Sequence, residues 1–159
     1  GTIEEHALLG LPTEADLLER LKRICPLVKQ ITLLPFIFRC VVQVRDIPLG
    51  MRGVTKNLLT ATLSHPWIKM AVVVNEDVDI DNADDLLWAI NTRVDYGKDV
   101  MCIDGAVPLS LDPMISGPGD TTAKIGFDAT VDPLLKDNFV RREVVGLDEV
   151  DLAELSGGD

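Results

Sequence analysis

The sequence predicts a single three-layer α/β domain with a mixed, partly parallel sheet of about four to five strands. Three observations predict it. Strand-type and helix-type runs alternate along the chain, in the order α-β-β-α-β-α-β. One run, Met70 to Val74, is continuously apolar yet only a strand long, which suits a strand covered by helices on both faces. The chain has 159 residues, 47% apolar and 26% charged, which is enough for one domain with its own core.

Residues 1–12, GTIEEHALLGLP, lack a clean period and end at Pro12, so they read as a lead-in loop. Thr13 then offers an N-cap oxygen, with Asp16 in the capping-box position. Leu17, Leu18, Leu21 and Ile24 fall on one helical face, and Pro26 stops that helix because it has no N–H to donate. Two β-type runs follow, roughly 28–34 and 36–45, with a bend at Pro35. The imperfect alternation of Val42, Val44 and Ile47 predicts one wet face on the second run.

Pro48, Gly50 and Gly53 mark a loop before a helix from about Val54 to Leu63, with Val54, Leu58, Leu59 and Thr62 on one side. The buried strand comes next, over residues 68–74. Asn82 and Asp85 give a capping-box-like start to a helix that presents Leu86, Leu87, Ile90 and Val94 inward. Asp84 and Asp85 in its first turn and Arg93 near its end suit the helix dipole. A strand follows over about 99–103. Beyond Gly105 the chain is rich in Pro and Gly and shows no strong period. The α/β domain spans 13–143, and residues 144–159 read as a C-terminal tail with a short amphipathic helix and frayed end.

Composition excludes several classes of function. Residues 1–70 carry nine Lys/Arg against six Asp/Glu, and residues 71–159 carry six against twenty, so the net charge of −11 sits in the second half. That half repels nucleic-acid backbones, and no basic-aromatic stripe appears elsewhere. No apolar run approaches the ~20 residues a bilayer requires. No secretory signal opens the chain, so a cytoplasmic address is expected. Cys25, Cys40 and Cys102 form no CxxC pair and read as buried core thiols.

Few residues offer chemistry. Asp77, Asp79 and Asp81 match the first, third and fifth positions of a calcium loop, but Asn82 stands where the turn needs glycine and Trp88 where a bidentate glutamate belongs. These carboxylates read as helix caps and acidic surface. Gly117, Gly119 and Gly126 do not have phosphate-cradle spacing, and Lys124 with Thr121 and Thr122 reads as a surface loop. His65, before Pro66, reads as the end of a helix. His6 beside Glu4 and Glu5 is a candidate for pKa tuning in a cleft, although such a run is usually a solvated face. No self-sufficient catalytic set can be assembled.

Four blocks in this sequence carry a resemblance. They are EEHALLG at 4–10, HPWIKMAVVVNEDVDIDNADDLLWAINTR at 65–93, PLSLDP at 108–113 and AKIGFDAT at 123–130. Together, and in this order, they resemble the C-terminal domain of UbiD-type decarboxylases, with Asn75 replacing the usual first acidic residue of the strand end. The resemblance implies an enzyme about three times this length. Its N-terminal domain would hold a prenylated FMN with a divalent metal (Mn2+ or similar) and K+, and residues 1–12 would lead in from that domain.

The implied reaction is non-oxidative decarboxylation of an aromatic or α,β-unsaturated carboxylic acid. Substrate bonds covalently to the flavin, carbon dioxide leaves, and a glutamate of the N-terminal domain protonates the product. No catalytic residue, cofactor ligand or metal ligand is expected here, and the fragment alone is expected to be inactive. The resemblance implies that this chain walls the active site and contributes to a homo-oligomer, dimeric or larger. Glu5 and Leu9 of the first block, and Val107 and Leu109 of the third, are expected to face the substrate, with His6 as a further candidate. Read from the residues alone, a non-catalytic α/β interaction or regulatory module remains the alternative.

Overall fold

The computed structural model describes residues 3–33 and 37–141, with side chains from Gly10 onward. Its elements are α1 (Ile3–Ile24), β1 (Val28–Thr32), β2 (Arg39–Val44), α2 (Val54–Leu63), β3 (Met70–Asn75), α3 (Ala83–Arg93), β4 (Val100–Ala106) and β5 (Thr122–Ala129). Short 3-10 helices add Leu49–Met51 and Pro133–Phe139. The five strands form one mixed sheet in the order β1-β2-β3-β5-β4. The inner strands β2, β3 and β5 are parallel, while β1 and β4 are antiparallel edges.

The continuous apolar run of β3 does what its composition predicts. Ala71 and Val73 pack with Leu17, Leu21, Leu58, Leu59 and Leu63 of α1 and α2 on one face. Val72 and Val74 pack with Leu86 and Ala89 of α3 on the other. Strand alternation thus sends successive valines into two different cores. The crossover from β2 to β3 runs over the first face through α2, and the excursion from β3 through α3 runs over the second.

Several expectations change. Residues 3–12 are helix, not a lead-in loop: α1 continues through Pro12, and Thr13 lies inside it instead of capping it. Proline costs this helix one backbone hydrogen bond, and the turns on either side carry the helix across it. Strand β2 has no wet face, because β1 and β3 pair with it on both sides and helices cover it. Leu87 is exposed and Ala89 takes its place in the core. Cys102 is exposed on edge strand β4, while Cys25 and Cys40 are buried. Strand β5 lies in the stretch that showed no period. The tail at 144–159 falls outside the described residues.

Two glycines have a geometric reason. A Cβ on Gly126 of β5 would meet Leu59 Cδ2 at 3.1 Å and Leu63 Cδ1 at 3.2 Å, so glycine lets α2 lie close on the sheet. Gly105 has a φ of +68°, a backbone region that disfavours side chains, just before β4 gives way to the long loop.

Candidate functional site

Strand directions decide which loops can meet. Arg39, Met70 and Ile125 are in register across β2, β3 and β5, and they mark the amino edge of the parallel strands. Because β4 runs antiparallel to β5, with Ala106 opposite Thr122, the loop 107–121 emerges at that same edge. Helix α1 reaches it too. The start of β1 pairs Val28 with Val44 at the carboxyl edge, so α1 must arrive there and originate at the opposite end. Glu14 accepts a hydrogen bond from the Leu33 N–H, just past the end of β1, which places Glu14 at the amino edge. At 22 residues α1 is about 33 Å long against about 17 Å for β1. Its first three turns therefore overhang the amino edge.

The expected substrate-facing segments thus share one end of the sheet. Glu5, His6 and Leu9 lie in the overhanging turns of α1, and their side chains are outside the described ones. Val107 is exposed and Leu109 half-buried in the loop. Val107 also lines a largely apolar groove of about 380 Å³, between the end of α2 and the turn after it (Leu63, Ser64, Pro66) and the end of β4 (Ile103, Ala106).

Lys124 lines this groove, and a second lysine, Lys69, anchors the loop that carries Val107. Lys124 of β5 is buried, and its Nζ donates to the carbonyl oxygens of Leu63 at 2.9 Å and His65 at 2.7 Å. It satisfies the Leu63 carbonyl at the end of α2, as a cation at a helix C-terminus does well, and joins the Ile68 N–H on the His65 carbonyl. Burial lowers its pKa. Lys69, just before β3, pairs with the buried Asp112 of the loop at 2.7 Å. The Lys69 hydrogen bond holds the Asp112 carboxyl below the usual range, against the opposing effect of burial. Lys124 is thus a core anchor and not part of the surface loop its sequence context predicts.

His65 behaves as its sequence context predicts. Its N–H bonds the Thr62 carbonyl at 3.1 Å and ends the helix. Its Nδ1 accepts from the Trp67 N–H at 3.3 Å, and the rings meet edge-on at 5.5 Å. Burial lowers the imidazole pKa, and the charges of Arg20 and Lys124 add to this against Asp16. A neutral accepting ring suits the turn.

The carboxyl edge, where open α/β sheets usually bind ligands, is laced with ion pairs. Arg93 holds Asp77, Lys136 holds Asp46 at 2.9 Å, Arg52 holds Asp132 at 3.3 Å and Lys29 holds Glu76 at 3.4 Å. Asn75, in place of an acidic residue, accepts from the buried Val131 N–H at 2.7 Å. The acidic turn is committed to structure: Asn82 caps α3 through the N–H groups of Asp84 and Asp85, and Asp85 accepts from the Asp79 N–H. Asp79 accepts from the Asp81 N–H in turn. Among the described residues no three His, Cys, Asp or Glu side chains group as metal ligands.

The family model for the 3-octaprenyl-4-hydroxybenzoate carboxy-lyase C-terminal domain matches residues 6–129. The chain belongs to the UbiD family. It is 36% identical over 146 residues to an anhydromevalonate phosphate decarboxylase of Methanocaldococcus jannaschii, covering 91% of this chain and 35% of that protein. A UbiD-class enzyme from Pelotomaculum thermopropionicum in complex with FMN shares the fold with a TM-score of 0.77 and 31% identity, over 95% of this chain and 34% of that one. A 3,4-dihydroxybenzoic acid decarboxylase from Enterobacter cloacae gives 0.76 and 30%, over 96% and 33%. An evolved dimeric form of the Pelotomaculum enzyme in complex with prFMN gives 0.62 and 27%, over 89% and 29%. This UbiD domain therefore spans about a third of the length of the relatives it matches.

The sequence missed the anchoring roles of Lys69, Asp112 and Lys124. For Lys124 a signal existed. It stands two residues before Gly126, so in a strand both face α2. Among the described residues no helix is long and apolar enough to cross a membrane.

Proposed function

We propose that this UbiD domain is the C-terminal, active-site-wall part of a prenylated-FMN-dependent carboxy-lyase that removes carbon dioxide non-oxidatively from an aromatic or α,β-unsaturated carboxylic acid. The observation that carries this reading is the shared edge: the overhanging start of α1 and the loop 107–121 leave the sheet on the same side. An N-terminal flavin-binding domain preceding α1 would close over that edge. When bound there, the prenylated flavin supplies the electron sink that carboxylate loss demands.

The residues of this chain do the shaping. Val107 and Leu109, with Leu9 and Glu5 from α1, face the acid and exclude water from it. Lys69 and Lys124 hold the loop and the end of α2 in place behind them. The flavin, its divalent metal and K+ are assigned to the N-terminal domain. No group of carboxylates in the acidic turn fits a metal, since Arg93 occupies Asp77 and backbone N–H groups occupy Asp79 and Asp85. A cytoplasmic homodimer or larger assembly completes the proposal.

The test combines this chain with its N-terminal partner and reconstituted cofactor, and measures carbon dioxide release. Activity that appears only with both parts supports the reading. Full activity without this chain overturns it and favours a non-catalytic interaction module.

A further inference from the structure

We infer that the Lys69–Asp112 ion pair is a latch that positions the substrate-facing loop, which makes both residues positioning residues for the reaction proposed above. The inference rests on that reading and names the device that makes the loop usable.

The loop between Ala106 and Thr122 contains no helix or strand. Connections this long without structure of their own are uncommon in compact domains, and those that exist are usually functional. Most of its large apolar side chains face away from the core: Val107 and Met114 are 77% exposed and Leu111 65%, while Leu109 and Ile115 are half-buried. A loop that buries so little apolar surface depends on polar anchors for its order.

Asp112 is the anchor. Its side chain is 1% exposed, and Lys69 meets Oδ2 at 2.7 Å. Oδ1 accepts from the Met114 N–H at 3.1 Å. The backbone closes a turn on each side, Asp112 N–H to Leu109 O at 2.9 Å and Ile115 N–H to Asp112 O at 3.0 Å. One carboxylate therefore joins the two turns that carry Leu109 and Met114, and ties them to the root of the central strand. The Asp120 carboxylate, by contrast, accepts from Ser116 and Gly117 within the loop.

Lys69 is well placed for this. Its backbone N–H bonds Phe38 O at 2.8 Å and its carbonyl accepts from Ile125 N–H at 2.8 Å, so it is stitched between β2 and β5. A loop held at its midpoint to such a rigid point keeps Val107 and Leu109 in one arrangement. Orientation of this kind acts on how well substrate is bound and aligned.

In the complete decarboxylase, Lys69→Met and Asp112→Asn are compared with Lys69→Arg and with Val107→Ala. Steady-state kinetics and amide hydrogen exchange are read on the same preparations. The latch predicts that Lys69→Met and Asp112→Asn raise KM roughly tenfold while kcat falls less, and that Lys69→Arg restores most of the loss. The amides of Met114 and Ile115 should exchange faster while those of β3 keep their protection.

Unchanged exchange at Met114 and Ile115 overturns the latch. So does a fall in kcat and thermal stability with KM untouched, which is the mark of a merely structural pair. If the latch variants leave KM alone while Val107→Ala changes it, the latch fails and the site reading stands. If the loop loosens and neither the latch variants nor Val107→Ala alters the kinetics, both fail together.

Discussion

Arg93 and Asp77 meet side by side, Nη1 to Oδ1 at 3.2 Å and Nη2 to Oδ2 at 2.6 Å, and so join the end of α3 to the turn that follows β3. The guanidinium is 1% exposed and lies 4.9 Å from the Trp88 ring and 5.9 Å from the Phe139 ring. A fork pairing with aromatic flanks is geometry that arginine provides and lysine does not. This pair turns an acidic turn with a calcium-like spacing into a structural clasp.

Breaking the clasp should cost stability. Asp77→Asn leaves a buried guanidinium without its counter-charge, and a loss of about 2 kcal/mol is expected, below the cost for fully enclosed pairs because the carboxylate is partly open to water. Arg93→Lys should recover little of it. Denaturant unfolding of the chain measures both, and an Asp77→Asn variant as stable as the parent refutes the clasp.

The same pair sets an acid dependence. Burial alone would raise the Asp77 carboxyl, but the hydrogen bond and charge of Arg93 outweigh it and hold the pKa below the ordinary value. Asp112 is lowered in the same way by Lys69. A depressed carboxylate contributes stability that is present above its unfolded pKa and is lost as pH falls through the folded one. Stability should therefore decline below the ordinary carboxylate range, and Asp77→Asn should make that decline shallower. An identical pH profile in parent and variant would count against the assignment.

Gly126 is expected to be intolerant of a branched side chain. Alanine meets only the methyl ends of Leu59 and Leu63 at 3.1 to 3.4 Å, which can shift by a little. Valine adds two more carbons where α2 lies on β5, and overpacking of this kind costs about 1–3 kcal/mol. Thermal unfolding should rank the parent above Gly126→Ala and Gly126→Val lowest. If valine proves neutral, α2 does not sit this close to the strand.

Much of this fold was legible because its central pieces have one period each. Strand β3 is apolar from Met70 to Val74, and α2 keeps Leu58, Leu59 and Thr62 on one side. Strand β5 was not legible, since its α2-facing positions hold Lys124 and Gly126, where an apolar alternation was sought. Pro12 hid the start of α1 because proline reads as a stop even where a helix tolerates it. The site was legible only in part. The resemblance identified two segments, but their common edge follows from the antiparallel placement of β1 and β4, which no local pattern encodes.

Thiol reactivity separates the three cysteines. Cys102 is exposed on β4, whereas Cys25 and Cys40 are fully buried. Burial pushes the Cys40 thiol far above its ordinary pKa, with the Glu14 carboxylate adding to the effect and Arg39 opposing it. Since the thiolate is the reactive form, a native chain should label quickly at Cys102 alone, and denaturant should release the other two. Fast native labelling of Cys40, read by peptide mass analysis, contradicts the packing of α1 on the sheet.

Glu5 carries the prediction about substrate choice. It lies in the first turns of α1, which overhang the edge where the acid is proposed to bind. A carboxylate enclosed there by the N-terminal domain needs a hydrogen-bond donor, and a hydroxyl on the substrate provides one. Glu5→Ala in the complete enzyme should then lower kcat/KM for a hydroxylated acid about tenfold or more, and leave its unhydroxylated analogue less affected, because discrimination is strongest where a site is built to bond a hydroxyl. The ratio of the two kcat/KM values is the measurement. A ratio equal to that of the parent enzyme removes Glu5 from the specificity of the site and leaves Val107, Leu109 and Leu9 as the remaining proposed determinants on this chain.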